Sequence, residues 1–106
     1  MKATPGLLSA DYKAPGGKLL RVRLALDESP DPPVIKTITL TGDFFMHPEE
    51  AIEELERRLV GAPWEAAAIR TRVAAFYATN VQVIGAGVDD VVHVIMAARG
   101  ETADAA

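Results

Sequence analysis

The chain has 106 residues, a mass of 11.3 kDa and a formal net charge of −4 at pH 7. This length holds one hydrophobic core but not a nucleotide fold, a substrate pocket and a lid together, which argues against a self-sufficient ATP-using enzyme. The absence of cysteine excludes thiol nucleophiles, disulfides and metal sites built on thiolates. The acidic balance argues against general nucleic-acid binding. Without a signal-like or membrane-spanning apolar stretch, we expect a cytoplasmic protein that does not enter membranes.

Charge is unevenly distributed along the chain. Residues 1–47 carry six Lys and Arg against five Asp and Glu, whereas residues 48–106 carry five against ten. The basic residues between positions 13 and 23 have no acidic residue among them in sequence. This cluster is either the solvated face of a strand or a local anion site that faces a partner or ligand. Its members are Lys13, Lys18, Arg21 and Arg23.

The first half of the chain predicts an antiparallel hairpin. Residues 18–27 alternate apolar and polar, which is typical of a strand with one buried face. Residues 34–41 are β-branched and alternate again, and the prolines in residues 28–33 fit only a loop. A short extended segment over 9–13 leads into the hairpin through a turn at 14–17. We expect the inward side chains to be Leu20, Val22, Leu24, Leu26, Ile38 and Leu40.

The second half begins with two predicted helices. An amphipathic helix is expected over residues 48–60, with Pro48 at its first position and Gly61 after its end. A second helix is expected from about residue 63 to residue 79, where alanines favour helix and one apolar stripe recurs. That stripe contains Ile69, Val73, Phe76 and Tyr77.

The remaining residues are less decisive. Residues 81–84 fit a short strand or an apolar loop. A third helix is expected over 90–98 with Asp89 as its cap, although the β-branched residues there also fit a strand. We expect one domain over residues 9–98, a flexible N-terminal arm over 1–8 and a flexible tail over 99–106.

No complete active site is visible in the sequence. The two histidines, His47 and His93, are far apart, and both fit structural positions. The carboxylates of residues 49–56 have the spacing of a solvated helix face. Residues 85–87 lack the full glycine pattern of a dinucleotide-binding loop, and no phosphate-binding loop motif is present.

Two short segments stand out as candidate binding residues. In the first, Gly16 and Gly17 leave backbone N–H groups open between Lys13 and Lys18, so the turn can approach a phosphate or carboxylate closely. The alternative is an ordinary surface turn. In the second, over residues 42–45, two adjacent phenylalanines cannot both point into one core. We expect one to pack under the helix and the other to lie near the surface, unless the strand–helix corner takes up both.

These two segments carry a resemblance to a known family. The sequence KAPGGKLLRV at 13–22, followed by TGDFFMHPEE at 41–50, resembles the C-terminal accessory domain of lipoate–protein ligases. That domain is fused to the catalytic domain in some ligases and is a separate small subunit in others. The resemblance covers about residues 10–98, and the length of this chain suits the free-standing form.

The resemblance implies an α+β fold, with a small antiparallel sheet of two to three strands packed against two to three helices. It also implies a partner, the larger catalytic subunit, which binds ATP, Mg²⁺ and lipoate and forms lipoyl-AMP. The partner then passes the lipoyl group to lysines of lipoyl carrier domains, so this chain would meet carriers only indirectly. The accessory domain is needed chiefly for adenylation, and we expect it to bind no cofactor or metal and not to be catalytic alone.

Site roles follow from this resemblance as expectations. The basic turn is expected near the rim of the partner's pocket, where Lys18 is the first candidate for electrostatic help and Lys13 or Arg21 the second. The 42–47 segment is expected to hold that turn or to form the interface. The residues of the two groups are Lys13, Gly16, Gly17, Lys18 and Arg21, and Gly42, Asp43, Phe44, Phe45 and His47.

Three other functions compete with this hypothesis. Residues 11–14 superficially resemble the modified-lysine turn of a carrier domain, with Lys13 as the lysine, but carrier domains are nearly all β and the half from Pro48 onward predicts helices. A generic α+β interaction or homodimerising module fits composition and pattern equally. An independent small-molecule enzyme fits least, because the sequence shows neither a nucleophile nor a phosphate loop.

Overall fold

A computed structural model describes residues 7–15 and 18–99. Strands β1 (Leu7–Lys13), β2 (Leu19–Asp27) and β3 (Val34–Gly42) form an antiparallel sheet in that order. The predicted hairpin is therefore confirmed, with a third strand added beside it. Because β1 begins at Leu7, the last two residues of the predicted N-terminal arm belong to the sheet. Residues 1–6 and 100–106 lie outside the described residues.

One face of the sheet is buried, as the alternation predicts. The β2–β3 register shifts between Ala25 and Leu26, where Ala25 pairs with Thr37 and Leu26 with Ile35. The extra residue, Lys36, forms a bulge, so that Ile35 also turns into the core. The predicted inward residues are all buried: Leu20, Val22, Leu24, Leu26, Ile38 and Leu40.

The helices α1 (Ala51–Leu59), α2 (Ala66–Tyr77) and α3 (Val88–Ala97) complete the fold. Helix α1 packs on β3, α3 packs on β1 and β2, and α2 packs on the other two helices. The expected start of α1 at Pro48 is wrong by three residues. A tight turn comes first, in which the Ala51 N–H donates to the Pro48 carbonyl at 3.0 Å.

Helix α3 decides the ambiguity of the last apolar segment. Its buried residues recur at helical spacing, as at Val91, Val94 and Ile95. The predicted cap at Asp89 is wrong: the cap position is Gly87, whose N–H donates to the Asp90 carboxylate at 2.8 Å. Asp89 instead forms an ion pair with Arg70 on α2.

A second small sheet was not expected. Strand β4 (Phe45–His47) pairs with strand β5 (Gln82–Ile84) in antiparallel register. This β4–β5 ribbon shows that residues 82–84 form a strand, and that the last residue of the 42–45 segment is the first residue of another strand.

The buried side chains of the three-stranded sheet, of β4 and of the three helices form one continuous hydrophobic cluster. The predicted α+β class, with a small antiparallel sheet on helices, is confirmed. None of the helices in the described part of the chain has the length and apolar character that a membrane crossing requires.

Candidate functional site

The two segments singled out in the sequence meet at one end of the molecule. The Asp43 N–H donates to the Leu19 carbonyl at 2.8 Å. A Cβ on Gly42, whose φ is +148°, would lie 2.2 Å from the Leu19 carbonyl oxygen. Only glycine permits this approach, which joins the end of β3 to the start of β2 directly after Lys18.

The basic turn has a fixed base. The Ala14 N–H donates to the Lys18 carbonyl at 2.7 Å, and Ala14 is buried. Lys13 and Lys18 are exposed at its two sides. Gly16 and Gly17, between them, lie outside the described residues, so their predicted role stays a prediction.

Gly85, the residue directly after β5, lies against the Lys18 side chain and Phe44. A Cβ on Gly85, whose φ is +100°, would lie 3.2 Å from Lys18 Cγ and 3.4 Å from Phe44 Cα. The Tyr77 hydroxyl donates to the Ala86 carbonyl at 2.9 Å. Burial, with a smaller contribution from the Asp90 charge, raises the pKa of Tyr77 to about 12. We call the region formed by residues 13–14, 18–19, 42–45 and 84–86 the candidate end.

The adjacent phenylalanines have different environments, as predicted. Phe44 is partly buried and packs against the core, whereas Phe45 is 74% exposed. Phe45 lies directly opposite Ile84, which is 58% exposed. His47 is exposed on the same face, opposite Gln82.

The cations of the basic cluster differ in their pairing. Arg21 Nε donates to Asp11 Oδ1 at 3.0 Å across the β1–β2 register, and both side chains are exposed. The fold thus brings an acid to Arg21 that the local sequence did not predict. In the described ranges, Lys13 and Lys18 have no ion pair. Lys18 is therefore the unpaired cation that lies next to the 42–45 segment.

Sequence reasoning missed three contributors to this end. Ile84 lies in a segment that fits either a strand or a loop, and Gly85 lies in an incomplete dinucleotide-loop pattern. Tyr77 lies in the apolar stripe of a predicted helix. Gly85 and Gly87 are the sequence signal that another part of the chain could approach the backbone here. Only the fold shows that the side chain that approaches Gly85 is that of Lys18.

The chemistry available at the candidate end is binding chemistry. It offers the ammonium of Lys18, which has no ion pair among the described residues, and an exposed aromatic ring and apolar neighbour, Phe45 and Ile84, which line a shallow groove. In the part of the chain that the structure describes, no group of three or more His, Asp or Glu side chains is placed to hold a metal ion.

Comparison with known proteins identifies the family. The family model described as the bacterial lipoate protein ligase C-terminus matches residues 20–95. The chain belongs to this family. The resemblance carried by the 13–22 and 41–50 segments is thereby confirmed.

Two relatives add detail. Lipoate-protein ligase A subunit 2 of Thermoplasma acidophilum is 44% identical over 59 residues, which is 56% of this chain and 57% of that protein. The aligned part thus spans little more than half of the curated relative. A chain from the solved structure of an archaeal lipoylation system of the same organism, a bi-partite lipoate protein ligase and its E2 lipoyl domain, matches with a TM-score of 0.71. It is 34% identical, and the match covers 84% of this chain and 93% of that one.

Proposed function

We propose that this chain is the accessory subunit of a two-part lipoate–protein ligase, acting with a larger catalytic subunit to activate lipoate to lipoyl-AMP. Family membership and the likeness to a chain of a bi-partite ligase support the proposal. The observation that carries it is the contact of Gly42 and Asp43 with Leu19, the residue that follows Lys18. The two sequence motifs of the family thus form one surface, as a single contact with a partner requires.

The mechanism is completion of the partner's site. Lipoate carboxylate attacks the α-phosphorus of ATP, an acyl–phosphate bond forms, and the bond to the departing pyrophosphate breaks. ATP, Mg²⁺ and lipoate lie on the larger subunit, and Lys18 at the rim stabilises the negative charge that develops on the phosphate oxygens. The base of its side chain lies against Gly85 and its carbonyl accepts from the Ala14 N–H, so the fold fixes the point from which the exposed side chain extends.

The rest of the reaction belongs to the larger subunit. The lipoyl group passes from lipoyl-AMP to a lysine of a lipoyl carrier domain, which this chain meets only through the complex. The complex works in the cytoplasm, where its ATP is supplied.

The test is lipoyl-AMP synthesis, followed as pyrophosphate release by the larger subunit with and without this chain. Lys18→Ala is expected to slow the step about tenfold or more at saturating chain, because a rim cation aimed at developing charge is lost. Lys36→Ala, which removes an exposed lysine from the β3 bulge, is the matched control and leaves the rate unchanged.

The outcomes separate the claims. An unchanged rate with Lys18→Ala removes the direct role of Lys18. Adenylation that does not depend on the wild-type chain removes the accessory function and leaves a generic interaction module.

A further inference from the structure

We propose that the outward face of the β4–β5 ribbon, centred on Phe45 and Ile84, is the anchor by which the larger ligase subunit holds this chain. The inference rests on the proposed function and adds the residues that provide affinity, as distinct from Lys18, which acts on charge. Neither sequence motif contains Ile84.

Exposed apolar surface is concentrated at this place. In the described residues, the large hydrophobic side chains that are exposed are Leu7, Phe45, Val60 and Ile84. Only Phe45 and Ile84 are direct partners across a strand register. Scattered single hydrophobic residues are normal on a protein surface, whereas contiguous exposed ones form a patch, and phenylalanine is among the residues enriched in interfaces.

The register of the ribbon keeps this pair outside. Met46, between Phe45 and His47, points inward and is buried, and its partner across the ribbon is Val83. A strand alternates sides at every residue, so Phe45 can turn inward only if Met46 turns outward. Phe44, the residue before Phe45, also packs against the core. The exposure of Phe45 is therefore a built-in property of the fold.

The surroundings favour the larger subunit as the occupant. Ile84 directly precedes Gly85, against which the Lys18 stem lies, so a body that reaches over this end to meet Lys18 also covers the ribbon. His47, Glu49 and Gln82 line the same shallow groove as Phe45 and Ile84. An apolar centre with a polar rim is the usual anatomy of a protein interface. We expect the facing surface to offer an apolar pocket for Phe45, with a basic group opposite Glu49.

The experiment measures the affinity of purified larger subunit for the full-length chain by calorimetry. Phe45→Ser and Ile84→Ser are each expected to raise Kd about 30-fold or more, as for interface anchors. Val60→Ser is the control for Ile84→Ser, because it removes a β-branched hydrophobic residue, 46% exposed against 58%, that follows α1 beside the start of β3, and it leaves Kd unchanged. Circular dichroism checks that each variant is folded.

A second measurement separates anchoring from chemistry. When Phe45→Ser is added at concentrations above its raised Kd, the adenylation rate is expected to return to the wild-type value, whereas Lys18→Ala stays slow at saturation. Wild-type Kd in both ribbon variants, or an equal loss with Val60→Ser, overturns this inference alone. A Phe45-dependent dimer of the isolated chain also overturns it. Wild-type chain that does not bind the larger subunit overturns the proposed function as well.

Discussion

At the scale of single residues, the candidate end contains similar side chains that differ in burial or in ion pairing. Phe44 and Phe45 have the same side chain, but one packs against the core and the other is exposed, because a strand alternates its faces. Lys18 and Arg21 are both exposed cations, but the fold pairs Arg21 with Asp11 and leaves Lys18 without an ion pair among the described residues. Residue type therefore indicates the candidate binding positions, and the fold determines which of them are exposed and unpaired.

Tyr77 gives a prediction about pH at this scale. Its pKa is raised to about 12 in the folded chain, chiefly by burial, against an ordinary value of 10.0. Between these values the unfolded chain loses the Tyr77 proton and the folded chain keeps it, so the free energy of unfolding falls as pH rises through this window. Tyr77→Phe is expected to remove roughly 1 kcal/mol of that fall, after allowance for solvent screening. The measurement is urea unfolding at about pH 9 and about pH 12.

The same variant has an effect at neutral pH. It leaves the Ala86 carbonyl without its hydroxyl donor and is expected to lower the free energy of unfolding by about 1 kcal/mol.

A titration of the Tyr12→Phe variant checks the pKa itself, because Tyr77 is then the sole tyrosine and the absorbance change reports Tyr77 alone. A midpoint near the ordinary value in that titration would contradict the burial argument.

At the scale of elements, side-chain contacts between helix and sheet matter as much as strand pairing. Strand β3 is the edge of its sheet, and its Leu40 N–H donates to the Glu56 carboxylate of α1 at 2.8 Å. The spacing of the acidic residues in α1 predicts only a solvated face. Glu56 instead fills an edge-strand position that water or another strand would otherwise take.

This contact leads to a stability prediction. Glu56→Ala leaves the Leu40 N–H unpaired and is expected to lower the free energy of unfolding by about 1–2 kcal/mol. Glu56→Gln keeps an acceptor oxygen and loses less. Glu53→Ala, which removes an exposed glutamate of the same helix, is expected to change stability by about 0.5 kcal/mol or less. Hydrogen exchange at the Leu40 amide adds a local readout, and an unchanged exchange rate in Glu56→Ala would show that the carboxylate does not protect it.

The elements that the sequence predicts well are those whose signal is long. The alternation over β2 and β3 and the stripes of α1 and α2 extend over two or more turns or pleats, so burial on one face leaves a clear pattern. The β4–β5 ribbon has three-residue strands, whose pairing depends on contacts between residues far apart in sequence. The start of α1 differs from the predicted Pro48 because proline fits both a helix start and the turn before it.

The candidate end was predictable in part for the same reason. Glycine, lysine and paired aromatic residues mark its two segments in the sequence, but their meeting depends on the β2–β3 register and on the Gly42 approach to Leu19. Ile84 and Gly85 arrive from a segment about forty residues farther along the chain. No local pattern can report such a contact.

At the scale of the whole molecule, the candidate end and the opposite end share one core. The buried cluster includes Ala14 and Leu20 near the basic turn and Trp64 at the far end of β3, where the backbone N–H of Trp64 donates to the Pro33 carbonyl at 2.7 Å. Because this cluster is continuous, the protein is expected to unfold in one transition. Local damage at one end then lowers the stability of the other.

Gly42→Ala tests this coupling. Its Cβ would lie 2.2 Å from the Leu19 carbonyl oxygen at a φ of +148°, so the backbone must shift, and we expect a loss of about 3 kcal/mol or more. Gly61→Ala is the matched control: its φ is +88° but nothing lies within 4 Å of the added Cβ. It is therefore expected to lose only about 1–2 kcal/mol from backbone strain.

The readout is urea unfolding followed by far-UV circular dichroism and by the fluorescence of Trp64, the single tryptophan. Both signals are expected to shift to the same lower midpoint in Gly42→Ala, because strain at Leu19 acts on the core that also buries Trp64. If the dichroism fell in two steps while the Trp64 midpoint stayed in place, the candidate end would be a separately melting unit. The larger subunit would then have to order Lys18 and Phe45 on binding, and the affinity would include that entropic cost.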